Sequence, residues 1–291
     1  MANITVTTAA VHIGEVWIPD VIRSQEFGLE IAPRVNRAWK FAGSGDVYHI
    51  PRVGNLAAAS KAASTAWTPA ALTDTEQTIT INVHEVAGFQ LEDIAGLLSN
   101  TDLKAEYQRK LGYALGRSVD VNLATLPQNF SQIVGTLGSE VTYDSLLRAW
   151  QYLADGGTSL TDMCTWFFSP AAIAGLLKQD LILNHMYRTD ANANAVETAK
   201  VGDILGAPVQ QSNLTRAPSA GQSESFLLHQ KGVALMMAQE PKIVTEYIAK
   251  ELSWVVGSHQ IYGYTEVDRY AEAPNNVTAG DDWVVLIRTI G

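Results

Sequence analysis

The stretch Thr78-Ile79-Thr80-Ile81-Asn82-Val83-His84 alternates without a break, with Ile79, Ile81 and Val83 on one side and Thr78, Thr80, Asn82 and His84 on the other. Successive side chains of an extended chain point to opposite faces, so the pattern is that of a strand with one apolar and one polar face. Upstream, Asp46-Val47-Tyr48-His49-Ile50-Pro51 reads as its partner. Between the two lie a small-residue tract from Gly54 to Ser64 and then Trp67-Thr68-Pro69. The result is a long hairpin whose tip, built of Ala and Ser, has almost nothing to bury within its own subunit. Such a tip either moves freely or lies on a neighbour. Trp67 and Leu72 supply apolar anchors that only another subunit could cover, and Leu56 and Lys61 complete the expected intersubunit contact.

Downstream the period changes from two to that of a helix. Leu103, Tyr107, Leu111, Ala114, Ser118 and Val121 recur at three- and four-residue steps, while Lys104, Arg109, Lys110 and Arg117 fall mostly off that stripe. Asp102 and Glu106 precede the basic residues, in keeping with the helix dipole, and Pro127 ends the run. This predicts one long helix over 99–126, packed through Leu103, Tyr107 and Leu111 against strands. Residues 1–40 mix Pro, Gly and isolated aromatics, as in Ile31-Ala32-Pro33-Arg34, and read as an extended arm. Beyond the helix, Thr142 caps a segment carrying Leu146, Leu147, Trp150 and Leu153 that Gly156-Gly157 stops. A strand over 163–168 leads into Ser169-Pro170, a cap residue and first-turn proline for the next helix. A loop over 184–200 and a tight turn over 202–206 precede strands at 207–212, 225–229, 243–256 and 282–290. The class is α+β, with no internal repeat.

Composition narrows the function. Hydrophobic residues make up 47% of the chain, enough for a substantial core, but charged residues only 17%, against roughly 25% in ordinary soluble domains. Low charge suits surfaces that become buried in assembly. A net charge of −10 argues against a protein that grips nucleic acid by neutralising phosphates, so contact with DNA is expected to be weak and non-specific. The single cysteine, Cys164, lies in the apolar run from Met163 to Phe168 and reads as core; it leaves no internal disulfide and no cysteine-based zinc site. The start, Met1-Ala2-Asn3-Ile4-Thr5-Val6, lacks the basic flank and apolar stretch of a signal peptide, and no run approaches a membrane span. The expectation is assembly in a reducing cytoplasm, away from membranes.

Signals for chemistry are poor. His84-Glu85 has no second histidine four residues on, and Gly221-Gln222-Ser223-Glu224-Ser225 misses the nucleophile-elbow pattern at its final glycine. No phosphate-cradling glycine motif occurs. The histidines at 12, 49, 84, 185, 229 and 259 are scattered singly, and Glu92-Asp93 reads as a solvated turn rather than a catalytic pair. The seven tryptophans form no stacking stripe beside basic residues and read as core or interface anchors. No catalytic, cofactor-binding or metal-ligating residue is assigned.

The order of segments resembles the Hong Kong 97-like capsid fold of tailed-bacteriophage major capsid proteins. Trp67-Thr68-Pro69 through His84 is similar to the return strand of that family's extended loop. Phe89-Gln90-Leu91-Glu92-Asp93-Ile94-Ala95, followed by Tyr107 and by Ala114 to Asp120, is similar to its spine helix and the lead-in to it. Thr142-Tyr143-Asp144 and Phe168-Ser169-Pro170-Ala171-Ala172 resemble the start of its axial domain, and Val201-Gly202-Asp203-Ile204-Leu205-Gly206-Ala207-Pro208-Val209 is the most specific match. The resemblance implies an N-terminal arm at 1–44, an extended loop at 45–83, a peripheral domain at 84–130 with the spine helix, an axial domain at 131–255, and a return to the peripheral domain at 256–291. It implies a non-enzymatic subunit, without cofactors, that forms pentamers and hexamers of an icosahedral head around double-stranded DNA. Expected partners are a separate scaffolding protein, a portal and a decoration protein, with the host cytoplasm as assembly site and the virion capsid as destination. A tail-tube subunit and a small-molecule-binding α+β protein are the alternatives; a tube protein is expected to lack the long helix. Covalent crosslinking, known in one branch, would need Lys61 with Asn275 or Asn276, and is not expected in the branch resembled here.

Overall fold

The computed structural model describes residues 28–52 apart from 42, 58–69 apart from 59 and 68, 74–98, 103–155, 163–179, 202–267 and 283–290. The hairpin strands are β1 (Val47–Arg52) and β2 (Thr75–Thr80), antiparallel, with Val47 opposite Thr80 and Arg52 opposite Thr75. Their apolar face is covered: Ile79 is fully buried among Ala234, Met236, Tyr48, Ile50 and Ile81. The alternation from Thr78 to His84 is nevertheless two strands. It breaks at Ile81-Asn82, where the Ile81 N–H donates to the Asp46 carbonyl at 2.7 Å, and β3 (Val83–Glu92) restarts in another sheet. At the break the backbone of Thr80 crosses Gly263 so closely that a Cβ there would collide with the Thr80 carbonyl. A period-two pattern survives such a switch, because both strands keep it.

β3 joins a three-stranded antiparallel sheet in the order β3-β10-β9, with β9 at Val233–Ile248 and β10 at Ser253–Glu266. The single strand expected over 243–256 is therefore the end of one strand, a turn over 249–252 and the start of the next, Ile248 pairing Ser253. The turn Ala249-Lys250-Glu251-Leu252 has none of the residues that usually announce one, and Leu252 adopts φ +45°.

Helix α1 (Asp93–Leu98) leads to α2 (Leu103–Leu123), which lies across the sheet. Its buried stripe is Leu111, Leu115, Val119 and Leu123, all at steps of four. The predicted stripe is corrected at Ala114 and Val121, which are exposed, and at Tyr107, 46% exposed and held by one ring contact with Phe89 at 5.3 Å between centroids. Steps of four advance about 40° past a full turn each, so a buried stripe winds slowly round the axis. A three-residue step from Leu111 to Ala114 leaves it. Leu111 is 5% exposed; the Leu103 side chain lies outside the described residues.

The third sheet has six strands in the order β4-β11-β8-β5-β7-β6: Ile133–Gly135, Val284–Ile290, Gln222–His229, Cys164–Phe168, Ala207–Gln211 and Asp203–Ile204. Every residue of β5 is buried, because the sheet is covered on both sides. On one side Trp166, Phe168, Leu227, Val285 and Ile287 pack with Leu146, Ala149 and Leu153 of α3 (Tyr143–Asp155) and Leu176 of α4 (Pro170–Leu177). On the other, Phe167, Phe226, Leu228 and Leu286 meet Val119 and Leu123 of α2. One sheet thus divides two cores. The predicted caps form: Ser169 Oγ accepts from the Ala172 N–H at 3.1 Å and Thr142 Oγ1 from that of Ser145 at 3.3 Å. Leu147 and Trp150 face outward, since α3 buries the 146, 149 and 153 side. Gly156-Gly157 and the loop at 184–200 lie outside the described residues.

Position 255 falls inside β10, and the segment 256–291 divides: β10 pairs with β3 beside the long helix, whereas β11 enters the six-stranded sheet between β4 and β8. Residues 28–36, read as unsupported arm, are part of the core, with Ile31, Ala32 and Val35 buried and Asn36 bridged to Ala234. Asp120 fastens them. Its carboxylate, 1% exposed, accepts from the backbone N–H of Glu30 at 2.6 Å, Ala32 at 2.8 Å and Ile31 at 3.4 Å.

Candidate assembly surfaces

The hairpin divides into a supported base and an unsupported tip. The Thr65 N–H and Oγ1 both donate to the Ala62 carbonyl, so the tip turns on bonds to itself. Trp67 is 62% exposed and Lys61 is exposed. Leu56 and Leu72, the other two residues expected there, lie outside the described residues, as do Asn275 and Asn276. An indole left in water forfeits most of the roughly 150–250 Å² that an aromatic side chain can bury.

Among the described residues, two further apolar areas are exposed. Where the three-stranded sheet meets α1, Ile94, Leu97 and Leu252 are 63%, 83% and 62% exposed, with Tyr247 and Trp254 partly exposed beside them. On α3, Leu147 and Trp150 form a short outward stripe. Isolated exposed leucines need no explanation, but clustered ones on separate elements mark interaction surfaces. The first group was not predicted, since Ile94 and Leu97 fall in a helix too short to show periodicity and Leu252 in an unannounced turn.

The polar interior is occupied in holding elements together. Glu85 of β3 accepts from Ser118 Oγ, from Asn122 Nδ2 at 2.9 Å and from Gln260 Nε2 at 2.9 Å, and Gln260 Nε2 also reaches the Leu115 carbonyl at 2.8 Å. Asn122 Nδ2 donates to the Tyr262 hydroxyl at 2.6 Å, and burial, chiefly, pushes that phenol well above its ordinary range. This network ties α2 to the sheet. In the six-stranded sheet Glu224, 3% exposed, sits between Arg216 at 2.9 Å and Arg288 at 3.6 Å.

The catalytic signals of the sequence do not converge. Glu92 closes β3 and Asp93 opens α1, where Asp93 accepts from the Tyr247 hydroxyl at 2.8 Å; that bond pushes the Tyr247 phenol up. His84 and His259 do meet, edge to face at 5.6 Å, with Gln239 bonded to His259 at 2.8 Å, an approach that a scattered histidine pattern could not reveal. Among the described residues no group of three or more His, Cys, Asp and Glu side chains gathers as a metal site would, and no helix is long and apolar enough to cross a membrane.

No family model and no curated protein matches the chain. Solved structures do. A structure from Mycobacterium phage Che8 aligns with a TM-score of 0.77 at 19% identity, covering 94% of this chain and 96% of its own. The capsid structure of cyanophage P-SCSP1u aligns at 0.80 and 14%, covering 99% and 96%. The head structure of Helicobacter pylori bacteriophage KHP40 aligns at 0.77 and 10%, covering 99% and 98%. At such identities the likeness is one of fold. The chain has the Hong Kong 97-like α+β fold.

Proposed function

We propose that this chain is the major capsid protein of a tailed bacteriophage, assembling as pentamers and hexamers into the icosahedral head that encloses double-stranded DNA. The observation that supports this most is the fold shared over nearly the full length of both chains with capsid and head proteins. The uncovered apolar side chains of the hairpin tip, the sheet end and α3 add to it, because a shell supplies many contacts to each subunit. In this reading Leu56, Lys61, Trp67 and Leu72 touch an adjacent subunit, and the helix carrying Leu103, Tyr107 and Leu111 is the rigid spine. The subunit has no catalytic role. A scaffolding protein and portal act during assembly in the bacterial cytoplasm, a decoration protein binds outside, and the product is the virion capsid. The 21 residues of α2 count against a tail-tube subunit.

The test is electron microscopy of the purified chain, alone and co-expressed with the scaffolding protein this reading expects. Rings of five and six or closed shells are the expected result. A stable monomer under both conditions would sink the proposal.

A further inference from the structure

We propose that Arg216, Glu224 and Arg288 form a binding site for one carboxylate and that a second copy of this chain supplies it. The inference rests on the capsid reading for the presence of neighbouring copies, and adds to it a site and the chemistry of what fills it.

Strand register builds the site. Glu224 stands near the start of β8, directly opposite Arg288 of β11 on one side and bridged to Arg216 on the other, where the Glu224 N–H donates to the Arg216 carbonyl at 2.8 Å. Residues opposite one another on adjacent strands project from the same face, so both guanidinium groups reach toward one carboxylate. Two residues along, that face carries the opposed pair Phe226 and Leu286, both buried in the core that α2 covers. The floor beside Glu224 is therefore apolar, and the side chain is only 3% exposed. Arg216 Nη1 donates to Glu224 Oε2 at 2.9 Å. Arg288 Nε lies 3.6 Å from Oε1, beyond hydrogen-bond reach, and is buried without an acceptor.

Charge decides what is missing. Two guanidinium groups and one carboxylate leave a surplus of one positive charge, and among the described residues neither arginine has a second carboxylate partner. Arg216 alone neutralises Glu224. The Arg288 guanidinium, partly desolvated and without a hydrogen bond, costs free energy that no contact within the subunit offsets. Its side chain is 36% exposed and that of Arg216 45%, so N–H groups of both remain open to an acceptor arriving from outside. A planar monoanion with two acceptor oxygens matches both the surplus and the fork of a guanidinium; a carboxylate is such a group, and a doubly charged phosphate exceeds the surplus. The chain is itself a rich source, with 30 Asp and Glu against 20 Lys and Arg. Every copy in an assembly brings unmatched carboxylates, and closed symmetry presents equivalent surfaces to every site.

The experiment places an amine where the second guanidinium stands. Arg288→Lys keeps the positive charge, and a carbodiimide then joins the new amine to a carboxylate in contact with it, the amide forming as the reagent takes up water. Full-length chains carrying the substitution, half of them labelled with heavy nitrogen, are assembled together, treated and digested, and the peptide containing position 288 is read by mass spectrometry. The expected product is an amide between position 288 and an Asp or Glu of another copy, seen as pairs of mixed label and lost in Arg288→Gln. Arg216→Lys, run in parallel, should couple to the same acidic residue, and it carries the test if circular dichroism shows that Arg288→Lys does not fold. Coupling only to Glu224 of the same chain, or to no other copy, overturns the inference. Electron microscopy of the untreated samples keeps the two readings apart: shells without a link between copies at position 288 or 216 sink this inference and leave the capsid proposal standing, whereas a stable monomer sinks both.

Discussion

Asp120 carries a structural role that its position in the sequence conceals. It lies in a helix, where a carboxylate reads as solvated, yet it accepts three backbone N–H groups from a segment about ninety residues away in sequence. Nothing local encodes that contact; only the tertiary fold brings the arm to it. Removing the carboxylate strands buried donors, each costing about 1–3 kcal/mol. Asp120→Ala should therefore lower stability in urea unfolding by at least about 2 kcal/mol, and Asp120→Asn, which keeps one acceptor oxygen, by less. A loss under about 0.5 kcal/mol for the alanine variant would mean that the arm contributes nothing to the fold. Leu111 was legible, because a leucine at helical spacing reports its own burial; Tyr107 was not, because the stripe winds away from it. Leu111→Ala should cost about 2–5 kcal/mol and Tyr107→Ala clearly less, since a 46% exposed ring leaves little cavity behind. Equal losses would contradict the stripe described here.

At the scale of elements, periodicity found the hairpin, the long helix and the caps, and it failed where two strands share one pattern. Ile81-Asn82 and the turn at Lys250-Glu251 both lie inside apparently continuous alternation, and neither carries the glycine or proline that marks a change of direction. The signal for the first break sits far away, at Gly263. The hairpin offers the sharpest test at this scale. Its base is anchored by Ile79, whereas Trp67 is 62% exposed. Deleting 55–72 should leave the circular dichroism spectrum and unfolding midpoint near those of the full chain while particle yield collapses. Trp67→Ala should show a milder form of the same defect. An unfolded deletion variant would place the tip's contacts within its own subunit, and a normal particle yield would remove the tip from assembly altogether.

For the whole molecule, charge and apolar surface act in opposite directions on assembly. Each subunit carries −10, so bringing many together is opposed by like-charge repulsion, and only 17% of residues are charged, so few ion pairs are available to offset it. The attractive side consists of uncovered apolar groups such as Trp67, Leu97, Trp150 and Leu252. Screening weakens the repulsion, with a Debye length falling from about 30 Å at 0.01 M salt to about 10 Å at 0.1 M, and leaves hydrophobic contact untouched. Raising sodium chloride from about 0.02 to 0.5 M should therefore lower the subunit concentration at which shells appear by light scattering. Sulfate should do so more strongly than chloride at equal ionic strength, because it also strengthens apolar burial. If added salt instead dissolves shells, complementary ion pairs such as Lys61 with a neighbour's carboxylate hold the lattice, and the apolar account of these surfaces is wrong. A denaturing gel of the same particles distinguishes covalent from non-covalent lattices: a single band at 31.5 kDa is expected, and a ladder would show that Lys61 or another side chain had formed a bond between subunits.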